Sequence, residues 1–458
     1  MIAAPTRAEL LAPYEPTTDE PWNLLRVRHL YLRAGFGATW DELQDGLARG
    51  PAAVLDDFCA GRRREGVPAG VEAVARQLEG AARASSEARR YEAFWFWRML
   101  YGADPLRDRL TLLWHDHFAT SNEKISDAAV VWHQIDILHR LARGRFGELL
   151  PACIKDPAML LWLDAASNYR EHPNENLARE LMELFTLGEG NYTETDVREV
   201  ARALTGWRIT ATGEFFVFAE HHDIGSKTIL GRNDDFDGDG VLALLLEHPA
   251  TARRLAWRIA SAFVAEPLLT DALIDELASL LQDSGLDLGA AVDRLLRSRS
   301  FFCDANLRAM TTPPAVAVTA LTRAFECFGP AVATRSLAQW SEAAGQRLLH
   351  PPSVFGWPRG EGWFTTSTLL ARAKFARALV AGELSVDGTD RPVARLLTRH
   401  DVPGDAAAQV AFFGRLLLGE EPRGELREML LATASEPGER ACDEMVVRLC
   451  TSVACQLA

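Results

Sequence analysis

Three stretches carry polar side chains of the kinds that bind metals or move protons. The densest runs from His172 to Gly206, HPNENLARELMELFTLGEGNYTETDVREVARALTG. On a helical wheel of about 100° per residue, Glu175, Asn176, Arg179, Glu180, Glu183 and Thr186 share one arc, and Leu177, Ala178, Leu181, Met182, Leu184 and Phe185 share the other. Asn176, Glu180 and Glu183 then stack in one line, with Arg179 in reach of Glu175 or Glu183. Two arrangements fit this pattern. Either the face is solvated and laced with ion pairs, or two acids, an amide and a guanidinium line a buried cleft in which each needs a partner or a metal.

The second stretch is LTLLWHDHFATS, residues 110–121. His117 continues the stripe of Leu106, Leu110 and Leu113 and therefore points inward, whereas His115 lies with Asp108 and Thr111 on the other side. On a regular helix the two rings diverge by about 200°, so they converge on one metal only if the helix ends near 115. The third stretch holds His221, His222 and Asp223, followed by Gly225 and Lys227. It is a metal or acid–base set on a loop, or a plain surface loop. GSKT at 225–228 lacks the leading glycine of a phosphate loop, and DFDGDG at 235–240 lacks the Glu that closes a calcium loop.

These residues predict an enzyme with a shared histidine–carboxylate site that works with or without a metal. His117, Glu180, His222, Asn176 and His115 are the candidate ligands, suited to divalent zinc, iron or manganese. Glu183 or Asp223 would act as general base, and Arg179 or Lys227 would hold an anionic substrate group. Hydrolysis and oxidation both use such ligand sets. A helical partner protein that binds and stabilises another enzyme is the competing reading; it expects the polar positions to be satisfied by internal ion pairs. A sugar-binding module built on Trp207, Trp357 and Trp363 is a third.

The elements that must position these groups read as mainly α, one multi-helical unit over 1–458 with a possible C-terminal helical subdomain at 368–458. A small β or irregular excursion falls near 208–235, where Phe215 to Phe218 has strand character. Thr39 with Glu42 and Thr193 with Asp196 mark helix starts, Pro105 and Pro157 sit at first turns, and Ser126 is expected to cap a helix running to about Arg143. HPPSVFGWPRGEGW, residues 350–363, cannot be helix and is expected to be a packed loop.

Composition narrows the partners. With 48% hydrophobic and 24% charged residues the chain can bury a large core. Its net charge of −14 and the absence of a long basic run argue against nucleic acid; Arg62, Arg63 and Arg64 form one short cluster. Seven scattered cysteines without a CxxC pair point to reduced core thiols. No window is long and apolar enough to span a membrane, and the first twenty residues lack the apolar core of an export signal, which predicts a cytoplasmic location.

Several stretches resemble one known set of motifs: HLYLRAGFG at 29–37, LTLLWHDHFATS, the 172–207 segment, HHDIGSKTILG at 221–231 and PPSVFGWP at 351–358. They are similar to the bacterial family called domain of unknown function 1800, in order, over about residues 20 to 380. The resemblance implies no established activity and brings no catalytic residues. It does imply a possible neighbour, since many members carry export signals and are encoded beside domain of unknown function 1501, a family that resembles alkaline phosphatases and sulfatases. The chain departs from that pattern in its leader.

Overall fold

Many of the helices begin where a side chain supplies a missing acceptor for the first backbone N–H groups. In the computed structural model, which describes residues 9–61, 71–85, 87–327, 333–385, 390–436 and 440–458, about 64% of the chain is helical. Arg62, Arg63 and Arg64 lie outside the described residues. Thr39 with Glu42 and Thr193 with Asp196 form full capping boxes, each side chain accepting from the other's backbone N–H. Asp104 and Asp156 cap helices that open with Pro105 and Pro157. The expected cap at Ser126 moves by one residue. Asp127 accepts from Ala129 and Val130 N–H, while Ser126 ends the short Asn122–Ile125 helix at φ 57°.

The helices that build the site are numbered here in chain order: α1 (Leu24–Arg33), α2 (Ala88–Tyr101), α3 (Pro105–Phe118), α4 (Asn176–Glu180), α5 (Glu194–Ala203), α6 (Pro249–Phe263) and α7 (Pro314–Ala324). The non-helical excursion is two short antiparallel hairpins, β1 (Trp207–Ile209) with β2 (Phe215–Val217) and β3 (Lys227–Ile229) with β4 (Arg232–Asp234). Each hairpin is only three residues deep, so its order comes from packing, not from its ladder. Trp207 is buried and seats β1 on the core.

A contiguous apolar core runs through the described helices, and α3 lies inside it. The expected division of α3 into an inner and an outer face fails. Leu106, Leu110 and Leu113 are buried, and so are Asp108, Thr111 and His115 opposite them, because α2 and the Ala128–Leu141 helix pack on the sides that the 176–186 segment leaves free. Asp108 tolerates this burial through Arg98, at 2.8 Å.

Two glycines allow the close approaches on which the site depends. Gly37, at φ 79°, ends the turn after α1 with Ala320 of α7 so near that a Cβ would sit 2.7 Å from it. Gly356, at φ 83°, brings the Pro- and Trp-rich loop onto Asp116, where a Cβ would lie 2.2 Å from the carboxylate oxygen. The loop is packed, with Trp357 and Trp363 both 5% exposed. These burials, with that of Trp207, remove the aromatic platform a sugar-binding module would need.

Candidate functional site

The central polar helix changes pitch where its acids sit. After Glu180, α4 continues as a π turn, Leu181–Thr186, in which Leu187 N–H donates to Met182 O at 2.8 Å and Thr186 Oγ1 donates to Leu181 O at 2.6 Å. Such wide turns are rare and recur at functional sites. Glu183 is half-buried and accepts the Tyr192 hydroxyl at 2.8 Å. Burial, and then the charge of Glu183, raise the Glu180 carboxyl above its ordinary range, while Arg179 pulls it back. Asn176 is half-buried at the helix start, its backbone N–H bonded to the Asn174 side chain.

His117 lies behind this turn. Its Nε2 donates to Phe185 O at 3.3 Å, and its ring packs among Trp114, Phe118, Phe146 and Phe185. Burial, reinforced by Arg258 and Arg254, holds the imidazole well below its usual range, so it is neutral. Arg254 donates Nε to Leu184 O at 3.3 Å in the same turn.

The other expected site groups are engaged elsewhere. Arg179 forks onto Glu194 at 2.7 and 2.8 Å and onto Glu175 at 3.0 Å, a half-exposed ion-pair lattice that neutralises its charge. Asp223 is held by Arg202 at 2.8 and 3.3 Å and by Gly225 N–H, and Lys227 donates to Asp223 O at 2.8 Å and Gly225 O at 2.7 Å. Burial lowers the Lys227 ammonium from its ordinary value. His222 donates Nδ1 to Thr205 O at 2.9 Å. The 221–227 loop is thus closed on α5, and the positions assigned to Asp223, Lys227 and His222 serve its own shape. No hydrogen bond, ion pair or ring contact among the described residues joins them to His117, Glu180 or Glu183.

His115 goes the other way. Because α3 stays helical to Phe118, the two rings of the HxH pair diverge, and His115 packs on Trp95 and Trp357 at ring distances of 5.5 and 5.2 Å. Neither of its ring nitrogens has a partner among the described residues, and burial pushes its imidazole down to about 3. Among the described residues no three His, Cys, Asp or Glu side chains converge as a metal site.

A different constellation surrounds α3. A hollow of about 130 Å³ lies between α1, α3, α6 and the 357–363 loop, and Arg33, Arg109, Arg258 and Arg359 line it against one carboxylate side chain, Asp116. Asp116 takes Arg258 Nη2 at 2.6 Å, Trp357 N–H at 2.7 Å and Arg359 at 3.6 Å. Arg258 Nε, Arg33 Nε, Trp357 Nε1 and Thr312 Oγ1 are buried without a partner among the described residues. Arg109 donates Nε to Arg33 O at 3.2 Å and has no ion pair of 4.0 Å or less among the described residues. Burial lowers Arg33 to about 9 and Arg109 and Arg359 to about 10; Arg109 depresses Arg33 further and Arg258 depresses the other two, while Asp116 pulls those two back up, and Arg359 stands at the mouth with its side chain 45% exposed.

Comparison with known proteins gives one match. The model of the family described as "Protein of unknown function (DUF1800)" covers residues 29–456. The chain belongs to that family. No curated protein and no solved structure matches it. For this member of DUF1800, the sequence signal that marked the hollow was weak but present: Arg258 stands among Leu255, Ala256, Ile259 and Ala260 on the buried side of α6, a charge where an apolar residue belongs. Tyr192, the partner of Glu183, had no spacing signature at all.

Proposed function

We propose that this DUF1800 protein is an enzyme for a small anionic substrate, and that the anion sits in the arginine hollow. The role expected of Arg179 and Lys227 passes to Arg33, Arg109, Arg258 and Arg359. One observation carries the reading: four guanidinium side chains line one hollow with one carboxylate side chain, Asp116, among them. Buried charge without a counter-charge is costly, and an arriving oxyanion offsets that cost while accepting the unpaired N–H groups. Asp116 is the proton acceptor within the hollow. The Glu180 and Glu183 pair, across α3, is the other candidate acid–base group.

The test is thermal unfolding of the full chain in phosphate, sulfate and benzoate, matched for ionic strength with chloride. A site occupied at about 100 times Kd contributes about 2.7 kcal/mol, several degrees in Tm. The reading expects such a rise in at least one of these anions and its loss in Arg109→Gln; no rise beyond chloride overturns it. Elemental analysis of protein purified without chelator tests the divalent metal separately, with His117→Ala and Glu180→Ala as the variants that should release it.

A second reading, a helical partner protein for another enzyme, draws support from the closed ion pairs of Arg179 and of the 221–227 loop. It expects stoichiometric co-purification with a phosphatase-like protein of the domain of unknown function 1501 kind, undisturbed by Arg109→Gln.

A further inference from the structure

The hollow is not evenly polar. Its lining also includes Leu32, Leu113, Phe263, Val316, Trp357 and Trp363, each buried at 8% exposure or less. Water, or a bare oxyanion with its hydration shell, leaves such a wall without the contacts that a carbon skeleton supplies. Small-molecule sites of this kind are mostly apolar with a few placed polar groups. Size is the second constraint. A cavity of about 150 Å³ accepts benzene, so a hollow of about 130 Å³, open beside the exposed Arg359, has room for a short apolar body whose charged head reaches the mouth.

The charges and the unpaired donors supply the polar part of the lining. Four guanidinium side chains stand in the lining with one carboxylate side chain, Asp116, to which Arg258 and Arg359 are paired. Arg258 Nε and Arg33 Nε lie buried without acceptors among the described residues, and Arg109 makes no ion pair of 4.0 Å or less among them. Planar guanidinium forks suit carboxylate and phosphoryl oxygens. Trp357 Nε1 and Thr312 Oγ1 add two neutral groups that can meet a polar substituent.

We infer that the occupant is a small organic acid, a carboxylate or phosphoryl head on a short apolar body no larger than benzene. This rests on the anion reading above and narrows it to a substrate class. Inorganic anions share only the head, and neutral aromatics share only the body; each is held by half of the lining.

Isothermal titration of the full-length protein with four probes tests it: benzoate, phenyl phosphate, inorganic phosphate and benzyl alcohol, all at constant ionic strength. At least one of the two organic acids should bind ten times or more tighter than both inorganic phosphate and benzyl alcohol, and the better of the two identifies the head group. Arg109→Gln should weaken that acid tenfold or more, and Val316→Phe, which fills the apolar side, should weaken it while sparing inorganic phosphate. Inorganic phosphate binding as tightly as both organic acids overturns the substrate class and leaves the anion site standing. Benzyl alcohol binding as tightly as the acids, or no probe binding at all, overturns both.

Discussion

Arg258 donates Nη2 to Asp116 Oδ2 at 2.6 Å, and this pair joins α6 to α3 at the wall of the hollow. The same carboxylate receives Trp357 N–H through its other oxygen. One side chain thus fixes two helices and a loop.

Asp116→Asn should therefore be expensive. It strips the counter-charge from Arg258, which is 3% exposed, and breaking one side of a buried pair costs about 3 kcal/mol. Chemical denaturation should show a loss of that order, smaller in an organic acid that fills the hollow. A loss under about 1 kcal/mol in plain buffer would show that Asp116 is not the charge that holds Arg258.

Arg109→Met carries the opposite expectation. The substitution gives up one hydrogen bond, from Nε to Arg33 O, worth about 1 kcal/mol, and the pull of Asp116, but removes a cation that crowds Arg33 and makes no ion pair of 4.0 Å or less among the described residues. The denaturation midpoint should hold or rise, while stabilisation by added anion disappears. A large destabilisation would mean that the guanidinium is already neutralised.

His115 makes stability sensitive to acid. Its folded-state imidazole is pushed down to about 3 from an ordinary 6.5, so its contribution is present above 6.5 and lost as pH falls toward 3. At about pH 4.5 the two-unit gap amounts to about 3 kcal/mol. His115→Phe keeps the packing on Trp95 and Trp357 and should flatten the fall in unfolding midpoint between about pH 6.5 and 4.5. An unchanged slope would place the acid sensitivity elsewhere, with His117 the next group to test.

Glu180 should titrate in the other sense. Burial and the Glu183 charge raise its carboxyl, so its ionised form at neutral pH opposes folding, and its stability contribution is full only below the unfolded value. Glu180→Gln should raise Tm near pH 7, with the gain fading below about pH 4. A drop in Tm at neutral pH would show that the carboxylate is held by a partner.

The helical class, the capping boxes at Thr39 and Thr193, and the small excursion were legible because each rests on residues near in sequence. The shared site was not. The HxH pair was correctly expected to diverge on an unbroken helix, but the wheel could not reveal that α3 is buried on both faces, since Asp108, Thr111 and His115 look like a solvent side. Nor does a wheel of fixed pitch describe 181–186, where the π turn re-aims Glu183. The hollow drew Arg33, Arg109, Arg258 and Arg359 from segments 75 residues or more apart, so no motif spacing encoded it.

Asp116 and His117 are neighbours on α3 and face opposite ways, one toward the hollow and the other onto the carbonyl of Phe185 in the π turn. That makes α3 a partition: adjacent residues of one strip of backbone hold the guanidinium groups of the hollow on one side and the wide turn bearing Glu183 on the other.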